Sequence, residues 1–176
     1  MLNEIVKSQK NELDSKREQV YVERDMPAEL STPTDDLVKV IIGPRRSGKS
    51  CFAIRHISKN RNCAYLNFDD ERLMGVDFDS IMDAVNAVYG NPEFILFDEI
   101  QNMPSWELFI NRLHRTGRKI YITGSNAHML SAELATHLTG RYRQLAVFPF
   151  SFGEYLRSRQ KEGLDMPGRQ SLSRHI

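Results

Sequence analysis

Cysteine is scarce. There are two in 176 residues, and Cys51 and Cys63 match neither a metal-binding nor a CxxC spacing. One falls in a helical pattern and the other opens a strand pattern, so two reduced, buried thiols are expected. No apolar run approaches the roughly 18 residues of a transmembrane helix. The amino terminus, MLNEIVKSQKNELDSK, lacks the apolar stretch of a secretory signal. The expectation is a soluble, cytoplasmic chain with no membrane partner. An excess of one charge is missing too. The 24 Lys plus Arg nearly balance the 23 Asp plus Glu, for a net +1, which speaks against a strongly basic nucleic-acid binder. The balance is uneven along the chain, however. Residues 1–100 hold 13 basic and 18 acidic side chains (−5), and residues 101–176 hold 11 and 5 (+6). That asymmetry leaves room for a localised basic face toward DNA.

At 40% apolar residues, the chain suits one domain of about 150 residues with a core that needs no disulfide or metal staple. Residues 1–30 are mostly polar with thinly spaced Leu2, Ile5, Val6, Leu13 and Val20. They suggest a helical segment leaning on the domain or a partly mobile arm. The turn cluster STPTDD (31–36) precedes the compact domain, expected over 31–162, and the aperiodic tail 163–176 is expected to be disordered.

Between these ends the pattern alternates. LVKVIIG (37–43), CAYLNF (63–68), FILFDEI (94–100), KIYITG (119–124) and YRQLAVF (142–148) read as strands. Helical spacing covers 48–60, 78–89, 105–117, 127–138 and the run from Ser151, with Pro104 placed in the first turn of the third. Strand–helix alternation implies a parallel α/β sheet whose ligands sit at the carboxyl ends of the strands.

The run Gly43-Pro44-Arg45-Arg46-Ser47-Gly48-Lys49-Ser50 fits G-x-x-x-x-G-K-[ST], and it lies between a strand and a helix. Such a loop wraps a phosphate with inward N–H groups, and the helix that follows offers the anion its positive end. Lys49 can reach the outer phosphates of ATP and Ser50 can ligate Mg2+. Cys51 follows them in the same nucleotide-binding stretch. Arg45 and Arg46 read equally as phosphate contacts or as solvated loop residues.

A second contributor is needed for the metal and the attacking water. FILFDE ends a strand with two carboxylates, of which Asp98 suits the metal and Glu99 the base. LNFDDE is a rival, but Asn67 interrupts its strand and it lies on the first crossover. Asp69 and Asp70 therefore read as capping or loop residues. Ser125 and Asn126 end the fourth strand. Either would face the γ-phosphate if that strand lies between the loop strand and the acidic strand, and either could instead cap the next helix. Arg141, in GRYR, is favoured over Arg143 to stabilise transition-state charge, in cis or from a neighbouring copy in a homo-oligomer. Trp106, the five histidines and the aromatic run FPFSF (148–152) read as packing residues.

Taken in order, GPRRSGKS, YLNFDDERL, ILFDEIQNMPSW, YITGSN and LTGRYRQLAVFPFSFGEYL resemble the prokaryotic AAA-type ATPases that carry a separate C-terminal domain of unknown function. That family is itself similar to archaeal-type signal-transducing and origin-recognition ATPases. The resemblance covers about residues 20–160. It implies a three-layer P-loop fold with helices on both faces of a five-stranded sheet ordered 5-1-4-3-2. It also implies ATP (or ADP) and Mg2+ as ligands, Lys49 and Ser50 in the phosphate loop, Asp98 and Glu99 as metal and water residues, and Ser125 or Asn126 as sensor. Members are usually more than twice as long, so these 176 residues are expected to be the ATPase part alone.

The leading expectation is an ATP-hydrolysing module. A nucleotide-gated interaction switch with negligible turnover is the alternative. A metabolite kinase would need an acceptor pocket and an arginine-rich lid. GTP specificity would need N-K-x-D, and a transporter ATPase would need L-S-G-G-Q.

Overall fold

The computed structural model describes residues 1–25, 36–60, 62–125, 138 and 140–161. Strands form where β-branched and aromatic residues run together: Val38–Ile42 (β1), Cys63–Asn67 (β2), Phe94–Asp98 (β3), Lys119–Gly124 (β4) and Tyr142–Ala146 (β5). All pair in parallel, in the order β2-β3-β4-β1-β5. Read from the other edge, this is the expected 5-1-4-3-2. The helices are Leu2–Glu18 (α1), Lys49–Ile57 (α2), Phe78–Tyr89 (α3), Trp106–His114 (α4) and Phe152–Lys161 (α5).

Side-chain alternation along the strands divides the core in two. One face carries Val38, Val40, Ala64, Leu66, Ile95, Phe97, Ile120 and Ile122 against α3 and α4. The other carries Ile41, Tyr65, Leu96, Tyr121 and Leu145 against Ala53, Ile54 and Ile57 of α2. Asp98 and Thr123 continue this second face to the carboxyl end, because each lies two residues beyond a member of it. Period-two geometry therefore aims both polar side chains at the side on which α2 begins.

Helix α1 straddles the two cores at the β2 edge. Ile5 and Val6 join the first core and Leu13 joins the second. Between them, Gln9 accepts the Asn67 N–H on Oε1 at 3.0 Å and returns Nε2 to the Asn67 carbonyl at 3.1 Å. Among the described residues no helix is long and apolar enough to cross a membrane.

Several expectations need correction. Pro104 and Ser105 form a turn before α4 and Pro104 is not inside its first turn. Ser105 takes φ 56°, which postpones the helix to Trp106. Strand β3 stops at Asp98 because Glu99 turns left-handed (φ 51°, ψ 46°) into a 3-10 turn at Ile100–Asn102. Cys63 is buried but Cys51 is exposed, since the apolar stripe of α2 runs through Ala53, Ile54 and Ile57. Phe148, Phe150 and Phe152 are also exposed, because the chain has left the edge strand β5 by then. Trp106 is buried as expected. The helix expected at 127–138, except Leu138, the turn cluster at 31–35, and the tail 163–176 lie outside the described residues.

Candidate functional site

The chain leaves β1 at Ile42 and turns through Gly43–Gly48 into α2. Gly43 has φ 150°, and a Cβ there would sit 2.0 Å from the Val147 carbonyl oxygen. Only glycine lets the loop lie against the chain leaving β5. Gly48 caps α2 in the left-handed region at φ 88°, which starts the helix with its free N–H groups facing the loop. Pro44, Arg45 and Arg46 are exposed, whereas Ser47 and Lys49 are buried. The Ser47 hydroxyl is buried without a partner, which is the orphaned donor expected where a ligand completes a site. Lys49 Nζ donates to the Pro44 carbonyl at 3.0 Å and lies 3.9 Å from Glu99 Oε1.

Asp98 is 3% exposed and its two oxygens are shared among three hydroxyls. Ser50 Oγ donates to Oδ1 at 2.8 Å, Thr123 Oγ1 donates to the same oxygen, and Tyr65 OH donates to Oδ2 at 3.0 Å. Burial pushes the Asp98 carboxyl above its usual range, against the pull of those donors. The Tyr65 phenol is pushed up by burial and by the Asp98 charge, so it stays a neutral donor. Lys16 of α1 donates to the Tyr65 oxygen at 3.0 Å and lies over its ring. Thr123 has a second task, accepting the Glu99 N–H at 3.0 Å. That contact steadies a backbone conformation that costs about 1–3 kcal/mol in a non-glycine residue. The Glu99 carboxylate accepts the Ser125 N–H at 3.1 Å and Gln101 Nε2 at 2.6 Å, both on Oε2.

The structure thus gathers Ser47, Gly48, Lys49, Ser50, Asp98, Glu99 and Ser125 at the carboxyl end of the sheet, with β4 between β1 and β3. Asn126 lies outside the described residues. Arg141 is not brought in. Its carbonyl accepts the Val38 N–H where β1 begins, and its guanidinium reaches Asn111 Oδ1 at 3.1 Å. It lies a full strand from its own loop, roughly 15 Å at 3.3 Å per residue. Asp70 caps the 3-10 turn Glu71–Leu73, as a capping residue should.

Sequence reasoning missed Thr123, Tyr65 and Gln101. Thr123 had a signal, a lone hydroxyl ending an apolar strand. Tyr65 had none, being one aromatic in a strand full of apolar residues. The donor set suits a hard divalent cation, with Ser50 Oγ and an Asp98 oxygen as protein ligands. Among the described residues no cluster of three or more His, Cys, Asp or Glu could hold a metal unaided, so the remaining ligands would be phosphate and water oxygens.

Comparison with solved structures gives a fold likeness. The Walker-type ATPase PABY2304 of Pyrococcus abyssi superposes with a TM-score of 0.57 at 17% identity, covering 86% of this chain and 62% of that one. AMPPCP-bound DnaA from Aquifex aeolicus gives 0.54 at 11% identity, covering 80% and 50%. Among curated proteins, the uncharacterized protein MJ1544 of Methanocaldococcus jannaschii is 38% identical over 124 residues, 68% of this chain and 28% of that protein. An uncharacterized protein of Haemophilus influenzae is 36% identical over 136 residues, 70% and 34%. The chain therefore spans about a third or less of the length of these relatives. The AAA domain family (AAA_14) matches residues 35–156, a stretch that holds the phosphate loop, the acidic strand end and all five strands, and the chain belongs to that family.

Proposed function

We propose that the site binds ATP with Mg2+ and hydrolyses its γ-phosphate. The observation that carries this reading is the 2.8 Å contact between Ser50 Oγ and Asp98 Oδ1, with Lys49 Nζ 3.9 Å from Glu99 beside it. A loop hydroxyl and a strand-end carboxylate that already touch are placed to share one cation. A bound Mg2+ supplies charge neutralisation on the phosphate oxygens, and Ser50 and Asp98 are the residues that would hold it. Lys49 sets a buried ammonium against the outer phosphates. Glu99 takes a proton from water attacking in line. The Ser125 amide keeps the Glu99 carboxylate turned toward that place. A cavity of about 240 Å³ opens beside Cys51, lined by the end of α1, Tyr21 and the Ile54–Ser58 flank of α2.

Lys49→Ala should abolish binding of a fluorescent ATP analogue. Glu99→Gln should keep binding within about threefold while turnover falls about a hundredfold or more. Turnover unchanged in either variant overturns the reading.

The switch alternative has one observation in its favour. Both donors on the Glu99 carboxylate fall on Oε2, which ties up an oxygen that a base would use. Single-turnover hydrolysis no faster than in Glu99→Gln would select it. Arg141, a strand away from its own loop, can serve only the site of a second copy, so its role goes with a homo-oligomer. DNA association rests on the basic balance of residues 101–176. Within that half Arg112, Lys119 and Arg157 are paired with Asp79, Asp36 and Asp25, so a DNA face would have to draw on other residues. Duplex binding that weakens steeply with salt is its test.

A further inference from the structure

The chain that follows α1 does not drift across the surface. Residues Tyr21–Asp25 run between α2 and α5. Lys161 Nζ donates to the Tyr21 carbonyl at 2.6 Å, and Arg157 Nη2 donates to Asp25 Oδ1 at 2.7 Å. Arg55 of α2 pairs with Glu23 at 3.6 Å. In the middle of this arm Arg24 turns inward, and its side chain is 6% exposed. Its Nε donates to Glu154 Oε1 at 3.0 Å, its Nη2 to the Phe148 carbonyl, and its guanidinium stacks over the Phe150 ring. Its Nη1 donates to the Ser47 carbonyl at 3.0 Å.

Glu154, equally buried, is as fully engaged. Its carboxylate also accepts the Asp25 N–H and the Ser151 N–H, each at 2.8 Å. Ser151 Oγ accepts the Glu154 N–H in return, closing a capping box on α5. A buried ion pair is costly unless its remaining donors and acceptors are matched. Here the Glu154 partners satisfy that condition, and one of the Arg24 donors falls on the phosphate loop.

The consequence is geometric. A trans peptide is planar, so the Ser47 carbonyl and the Gly48 N–H point in opposite directions. Pinning the carbonyl outward aims the N–H inward. Gly48 sits at φ 88° with no side chain to hold its plane, and a Cβ there would lie 3.3 Å from Arg24 Nη1. A charged donor on the carbonyl also polarises the peptide and strengthens its N–H as a donor.

We propose that Arg24, held by Glu154, is a positioning residue that fixes the Ser47–Gly48 peptide so that the Gly48 N–H faces the phosphates of bound nucleotide. The inference deepens the nucleotide reading and rests on it. It also ties the amino-terminal arm and α5 to the phosphate loop through a single side chain.

The test is calorimetric binding of Mg-ADP and a non-hydrolysable Mg-ATP analogue to the full 176-residue chain, with the Gly48 amide followed by NMR. Removing Arg24 alone strands a buried carboxylate, so the deciding variant is the neutral pair Arg24→Met with Glu154→Gln. The expected result is a melting point within a few degrees of the parent, a moved Gly48 amide resonance, and affinity for both nucleotides lower by about tenfold or more. Arg24→Lys, which keeps charge but not the fork, should recover part of that loss. Parent-like affinity and an unmoved Gly48 resonance in the folded double variant overturn the positioning role alone. No binding of either nucleotide by the parent chain overturns the nucleotide reading and this inference with it.

Discussion

Two neighbouring strands end in nearly the same way. Strand β2 runs into Asp69-Asp70 and β3 runs into Asp98-Glu99, and Asn67 lies opposite Asp98 in the pairing. Their fates differ completely. Asp70 faces Arg72 and Gln9, caps a 3-10 turn, and has its carboxyl held down at about 2, chiefly by the Arg72 side-chain hydrogen bond. Asp69 is exposed and accepts Asn102 Nδ2 at 2.7 Å. Asp98 is buried under the start of α2 among three hydroxyls, and burial pushes its carboxyl the other way. Sheet order makes the difference. β2 is an edge strand, separated from β1 by both β3 and β4, whereas β3 is separated from β1 only by β4. A carboxylate there meets Ser50 of the phosphate loop directly, with Thr123 of β4 beside it on the same oxygen. Carboxylates after an apolar run are therefore no site in themselves. Their address relative to the loop strand decides.

The contrast can be broken at either end. The largest effect expected is Asp98→Asn, which should lower ATP turnover by about a hundredfold or more, while Asp70→Asn leaves turnover within about twofold. Steady-state ATPase assays on both variants check this, and a comparable loss in the two would erase the distinction. Next comes stability. Asp70→Ala removes the cap on Arg72 N–H and the contact with Gln9, at a cost of about 1 kcal/mol. That is about 2–4 °C in the thermal midpoint for a chain of this size. The smallest effect is acid dependence. The Asp70 carboxyl is held below its ordinary value near 4, so the unfolded chain binds its proton first as pH falls. The stability Asp70 contributes is present above about pH 4 and is lost as pH drops toward about 2. Urea midpoints should fall less steeply across that window in Asp70→Asn than in the parent chain.

Much of this was legible because it is local. The glycines and lysine of the phosphate loop sit on consecutive residues, and the alternation of apolar runs names five strands. What escaped depends on contacts between distant segments. Thr123 and Tyr65 matter because parallel register places them beside Asp98, and no spacing along the chain reveals register. Arg24 and Glu154 are 130 residues apart. Cys51 and Phe148 through Phe152 look like core by composition, yet they project from a helix flank and from the chain beyond an edge strand. Arg141 could be named from its neighbours in sequence, but only the three-dimensional arrangement puts it at the far end of β1.

The side chain of Gln9 has a further consequence. Its amide presents one acceptor and one donor to the main chain of Asn67, as the backbone of an adjoining strand would. The rung at the carboxyl end of β2 is thereby filled from within the same molecule, and the apolar flank beyond it is covered by α1. Edge-to-edge stacking of copies, the route by which open sheets polymerise, is obstructed on this side. Any lateral extension of the sheet would have to start from the outer margin of β5.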